Sequence, residues 1–556
     1  MKKIIITSAI ALIIAISPSS AAIAIGDWTP HVQKDGTTIM VKLVGDEFSH
    51  YYITEDGTIV EQNADGDFVP QLVPEFNSLF KESIMRDYTN TRRAQAITSG
   101  IMSTPGKKKQ LVLLMQYPDK PFLNPDPKAY WNNALNNGNI DKTYAIASLH
   151  QYFLDQSNGI FDVEFDVRGP FTTKHNRAFY GKDVNNNDQH ADSLVIEGCL
   201  ALEGQVDFRD YDWNGDGEVE QVIAIYAGDG QNDTNSQDQA ETIWPHQWCI
   251  SYYSPGKAHV QNGMTINKYC VVNDEFRGES DGFGTLAHEY GHCLGLPDFY
   301  STQTQHGYDN FGTYDVMHSA YFGYQAWVPA GYTAYEKKFM GWFDYEELTE
   351  PITVSNLNSL ANGGKAYIIR NDAQSQTADE YYLLENRRRE GWDTYIPGEG
   401  LLITHYDYSS IAWSFNIVNK DAGHQRAVII PANNSSKSTS GFPYPYTTKS
   451  IDGTVTIAND CLTDDSKPAA SVFNTTINGC KLMGKPVTNI RRDEQGLISF
   501  DFMGGTSGIS GIMTDSDPRD LEYFDAHGRK VSTPLHGSIY IIRNKKTNKT
   551  YKSSFN

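Results

Sequence analysis

The sequence is poor in positive charge: 46 Lys and Arg stand against 68 Asp and Glu, a net charge of −22 at pH 7. Binding nucleic acid needs a basic surface, so the balance argues against that class of partner. Cysteine is scarce as well. The six (Cys199, Cys249, Cys270, Cys293, Cys461, Cys480) contain no CxxC pair, which leaves no thiolate metal knuckle. Apolar runs are short. Beyond the N-terminus none has the length of a bilayer span. With 39% hydrophobic and 21% charged residues, the 556-residue chain has a soluble globular composition, and its length asks for roughly two to four domains.

The single apolar stretch begins Met1-Lys2-Lys3, runs through residues 4–16 and reaches small residues and Ala22-Ile23-Ala24. It reads as a signal peptide over residues 1–24, so the chain is expected to be secreted or at the cell surface. Export permits disulfides, and Cys461 with Cys480 is the expected pair because they are neighbours in the last β-rich segment. Cys293 reads as a small buried residue rather than a nucleophile.

What the chain does have is His288-Glu289-Tyr290-Gly291-His292-Cys293-Leu294-Gly295-Leu296-Pro297-Asp298. Two histidines four apart on a helix share one face and can reach one ion. Glu289 can hold a metal-bound water and take its proton. Gly295 permits a sharp turn at the helix end, Pro297 prevents the helix from resuming, and Asp298 can swing back as an oxygen ligand. Two nitrogens and a carboxylate describe a catalytic zinc site with an open position. A chance HExxH on an amphipathic helix is the competing account, and the added Gly295 and Asp298 weigh against it.

These residues resemble the M6 metallopeptidases, the immune inhibitor A type of metzincin-like zincin. The resemblance implies a methionine turn, for which Met317 in Tyr314-Asp315-Val316-Met317-His318-Ser319 is the candidate. It implies that a tyrosine beyond that turn assists, with Tyr321, Tyr324 and Tyr332 all open. It further implies an α+β zincin domain followed by a β-sandwich, protein substrates, and a secreted zinc endopeptidase made as a precursor. The alternative is a cell-surface adhesin whose β-domains do the work while the peptidase domain serves processing or is vestigial.

Turn signals at Asp35-Gly36, Asp56-Gly57 and Asp65-Gly66 separate short strand-like runs in residues 25–104. This part resembles the M6 pro-segment, small and β or α+β, with an exposed linker over residues 92–106 suited to cleavage. The peptidase domain is expected over residues 105–345. It should open with a buried strand at residues 110–115, a helix carrying Ile146, Leu149, Tyr152 and Phe153, another with Leu194, Val195, Cys199 and Leu202, and a strand at 222–226. Asp212, Asn214 and Asp216, ahead of Gly217, match the first half of an EF-hand calcium loop, with Asp210 and Glu220 as further candidate ligands. Ile223 occupies the place of its last acid, and an acidic turn entering a strand explains the same residues.

Residues 346–503 read as the β-sandwich, with strands near 366–369, 381–384, 401–403 and 427–430. His405 and Asp407 there read as a hydrogen-bonded pair rather than metal ligands. Residues 504–556 change sign: from Arg529 onward there are seven Lys and Arg and no acid. This tail resembles the C-terminal sorting domains of Bacteroidota proteins, two strands around a loop, which implies an outer-membrane secretion machinery as partner.

Overall fold

The computed structural model describes residues 24, 28–46, 49–63, 65–70, 104–140, 142, 144–183, 188–233, 239–253, 257–301, 311–319, 326–414, 416–505, 521–525, 529–532, 539–545 and 550–554. The signal peptide up to residue 23, nearly all of the linker, Tyr321 and Tyr324 lie outside these residues. No described helix is long and apolar enough to cross a membrane.

The N-terminal part is an antiparallel sheet in chain order: Thr29–Val32 (β1), Thr38–Asp46 (β2), Ser49–Thr54 (β3), Ile59–Gln62 (β4) and Phe68–Pro70 (β5). Gly36, Gly57 and Gly66 hold φ near +85°, the left-handed conformation that favours glycine, at three of its turns. Its core is slight, centred on Val41, Val60 and Phe68.

The next sheet orders His246–Cys249 (β9), Lys268–Phe276 (β10), Val222–Asp229 (β8), Gly106–Gln116 (β6) and Phe161–Thr172 (β7). All of these pair in parallel except β9, which runs antiparallel to β10. Strand alternation divides β6 and β8 between two cores. Val112, Leu114, Ile223 and Ile225 face the helices Leu149–Gln156 (α1) and Gly284–Cys293 (α3). Leu111, Leu113, Val222 and Ala224 face Ala191–Ala201 (α2). Covered on both faces, the strands are continuous apolar runs. The expected first helix starts later than the spacing suggests. Ser148 accepts from Gln151 N (3.2 Å) and caps α1, so Ile146 falls outside it and is 46% exposed.

Downstream, Glu346–Glu347 (β11), Ala366–Arg370 (β13), Asp379–Arg387 (β14), Gly400–Tyr408 (β15) and Ala427–Ile429 (β16) form one sheet. Ile352–Leu357 (β12), Ile498–Phe502 (β18) and Val487–Arg492 (β17) form another, and the two share a core that includes Ile369, Leu384, Leu401, Ile490 and Phe500. The opposite face of the first sheet does not end at a domain border. Ile368, Leu383, Leu402, Tyr406, Trp413 and Ile429 belong to the same core as α3 and Met317. The C-terminal tail is a sheet of four strands, Leu521–Phe524, Lys530–Val531, Ile539–Asn544 and Thr550–Ser554, where the sequence suggested two.

All six cysteines are free thiols, so Cys461 and Cys480 are not joined. Cys293 is buried, as expected, against Cys270 of β10. His405 and Asp407 do not pair with each other. His405 Nε2 meets Glu380 Oε1 at 2.8 Å, and Asp407 Oδ2 takes His424 and Arg426 at 2.6 Å each.

Candidate metal centre

All ten residues of α3 are buried. The helix ends in a Schellman turn: Gly295 N donates to His292 O (2.9 Å) and Leu296 N to Gly291 O (3.0 Å), with Gly295 at φ +99°. The turn also orients a ligand. Its Leu296 carbonyl lies 2.9 Å from His292 Nδ1, while Val316 O lies 2.8 Å from His288 Nδ1.

A carbonyl only accepts, so each Nδ1 carries a hydrogen, and in the neutral ring each Nε2 offers its lone pair. Those two Nε2 atoms are 3.1 Å apart, and Asp298 Oδ1 lies 3.1 Å from one and 3.3 Å from the other. The three form the one group of metal-capable donors among the described residues. Three buried donor atoms converging on one point call for positive charge between them, supplied by a metal cation or, without one, by a proton on an imidazole. Electrostatics agree. Burial opposes charge on His288, yet the hydrogen bond and charge of Asp298 push its imidazole up to about 9. The two imidazoles outweigh burial at Asp298 and hold its carboxyl well below the usual range. Glu289 follows His288 in the chain and is fully buried.

Beneath the site, Asp315 Oδ1 accepts from Met317 N (2.6 Å) and Asp315 O from Ser319 N (2.9 Å), shaping a tight turn. Met317 O accepts from Phe299 N at 3.1 Å, tying the turn to the residue after Asp298. Tyr332 lies under the helix, buried, with its hydroxyl donating to Ala287 O (3.1 Å). The tyrosine ring stacked beside His288 is Tyr300, 6.4 Å away and 16° from parallel.

An ionic cluster supports this floor. Arg387, 2% exposed at its side chain, bonds Asp393 through two nitrogens (2.7 and 2.6 Å), Glu385 (3.1 Å) and Gly331 O (3.1 Å). Glu385 Oε2 in turn accepts from Ala334 N (2.6 Å), the first residue of Ala334–Phe339 (α4). Burial, then the charge of Asp315, pushes the Glu336 carboxyl well above its ordinary range.

The candidate calcium loop uses its carboxylates on itself. Asp212 accepts from the amides of Gly215, Asp216 and Gly217, Asn214 Oδ1 from Asp216 N, and Asp216 from Glu218 N. Asp210 pairs with Lys109 (3.0 Å), and Glu220 accepts from Trp213 N (2.6 Å). These are the bonds of an acidic turn.

Sequence reasoning did not find Asn416. Its Oδ1 accepts from Asp298 N (2.7 Å), and its Nδ2 donates to Asp298 Oδ2. Nearby, Asn419 Nδ2 donates to Phe299 O and Ala427 O, both at 2.7 Å.

Residues 99–342 match the family model for the immune inhibitor A peptidase M6 catalytic domain. Over 243 residues the chain is 27% identical to the pre-pro-metalloprotease PrtV of Vibrio cholerae serotype O1, covering 36% of this chain and 25% of that protein. Over 237 residues it is 28% identical to immune inhibitor A of Bacillus thuringiensis subsp. alesti, covering 36% of this chain and 34% of that one. The chain thus spans between a quarter and about a third of the relatives it matches.

Proposed function

With an M6 peptidase catalytic domain at residues 99–342, we propose that this metallopeptidase is a secreted zinc endopeptidase made as a precursor. The observation that carries the reading is the convergence of His288 Nε2, His292 Nε2 and Asp298 Oδ1 within 3.1–3.3 Å, with both Nδ1 atoms committed to carbonyls. These three atoms would hold the ion and leave a position open. Zinc, when bound, supplies the Lewis acidity that lowers the pKa of water and polarises a scissile carbonyl.

Glu289 accepts the proton of the attacking water and delivers it to the leaving amine nitrogen. Burial on α3 keeps its carboxylate in a water-poor setting. Val316 O and Leu296 O fix the histidine tautomers and ring planes. Met317 packs against Gly291 and the Tyr332 hydroxyl bonds Ala287 O, supporting the helix from below.

The β-rich segments acting alone as an adhesin are a weaker reading, because their first sheet shares a buried core with α3. Zinc analysis with a peptide-library digest by a chain starting at Thr104 tests the proposal. One zinc per chain and internal cleavages are expected. A reconstituted chain that holds no zinc, or trims only terminal residues, overturns it.

A further inference from the structure

The Asp298 carboxylate is gripped by a residue 118 positions away. Asn416 lies well past the family match at residues 99–342, among residues that the sequence pattern assigns to a separate β-domain. We propose that Asn416 is a positioning residue for the metal ligand Asp298, so that the downstream segment completes the metal centre. The inference rests on Asp298 being a zinc ligand.

The chemistry of the contact supports this. A carboxamide offers a donor and an acceptor on one planar group. Here the acceptor takes the Asp298 main-chain N–H and the donor takes Oδ2, leaving Oδ1 for the two imidazoles. Backbone and carboxylate are therefore both fixed, and the ligand cannot turn its second oxygen to the ion. Asp298 is fully buried, where an unsupported carboxylate oxygen is costly.

The backbone at Asn416 is equally specific. The short helix Ser410–Ser414 ends with Ile417 N donating to Ala412 O (2.9 Å), and Asn416 takes the left-handed position at φ +52°. Asparagine tolerates that conformation, so the helix end aims its side chain at Asp298. Asn419 then binds Phe299 O and the strand residue Ala427, holding the arm to the sheet.

Replacing Asn416 with glycine keeps the left-handed backbone and removes only the carboxamide. Asn416→Asp also accepts that backbone but sets a like charge against Oδ2. In the full chain, zinc affinity measured by chelator competition should fall roughly 10–100-fold for both variants. The visible spectrum of the cobalt-substituted protein should shift, while the melting temperature of the metal-free chain stays near that of the parent. His292→Ala is measured alongside. If His292→Ala loses zinc while Asn416→Gly binds it and cobalt as the parent does, the positioning role is wrong and the zinc site stands. If His292→Ala itself retains full zinc affinity, the ligand assignment fails and the positioning role with it.

Discussion

Met317 lies directly against Gly291: a Cβ built on Gly291 would fall 2.4 Å from Met317 Sδ and 3.3 Å from the Tyr332 hydroxyl. Gly291, the residue before the second histidine of the HExxH motif, is therefore the point where α3 rests on Met317, and a methyl group does not fit. Gly291→Ala should cost about 1–3 kcal/mol through overpacking. Thermal unfolding of Gly291→Ala, Met317→Ala and the double variant checks it. Shortening Met317 should make the alanine less harmful than in the parent, and simple additivity would show that the two do not touch.

Glu289→Gln should keep zinc and lose turnover on the order of 10³-fold, since an amide cannot accept the proton of water. Metal analysis and peptide hydrolysis on one preparation separate the roles. Near-normal hydrolysis would remove Glu289 as the base, and loss of zinc would make it a structural residue.

What could be read from the sequence was what is local. His288 and His292 share a face because they are one turn apart, and Gly295-Leu296-Pro297 states its own turn. Nothing local marks Gly291, whose constraint lies at Met317, and Asn416 carries no signal because its partner is 118 residues distant. Arg387 shows its role only in the fold, where it bonds Gly331 and Asp393 below the site. Apolar spacing carried α1 back to Ile146, but the Ser148 cap stopped it. At Asp212, Asn214 and Asp216 the alternating oxygens that make the calcium pattern also cap the turn's own amides.

Arg387 neutralises two carboxylates, Glu385 and Asp393, in a fully buried setting. Arg387→Met keeps much of the volume and leaves both acids uncompensated. A loss of about 3–5 kcal/mol is expected from denaturant midpoints, the scale for breaking a buried ion pair. A change under 1 kcal/mol would mean that the acids simply take up protons.

Asp274 gives a pH dependence. Burial pushes its carboxyl from 3.8 up to about 7, with the charge of Glu275 adding and the Trp131 Nε1 hydrogen bond and Lys120 opposing. The folded state thus holds this proton more tightly than the unfolded chain. The stabilisation is complete below pH 3.8 and is lost as pH rises through about 7. Asp274→Asn stays neutral and can still accept from Trp131. Between pH 4 and 8 the melting temperature of the variant should gain on that of the parent. A difference that is flat with pH would place no titration at this residue.

The last expectation concerns latency. His31 Nε2 lies 2.9 Å from Gly66 O inside its own sheet. His50 Nε2 faces Asp183 Oδ2 at 3.2 Å and stacks on Trp244 at 4.4 Å, while the Tyr52 hydroxyl donates to Gln239 (2.9 Å). Both histidines are thus engaged away from the metal donors, and the contacts of His50 and Tyr52 are those of a docked sheet. Its landing residue Trp244 leads into β9, the antiparallel edge strand in contact with α3. Thr104 is tied to the residues matching the peptidase model, because its Oγ1 accepts from the buried Trp342 Nε1 at 2.9 Å. Cleavage is therefore expected before it. A chain with an uncleavable linker should be far less active than one starting at Thr104, and His50→Ala with Tyr52→Phe should recover part of the difference without cleavage. Equal activity of the uncleaved and Thr104 chains at equal zinc content would make the N-terminal sheet a permanent domain.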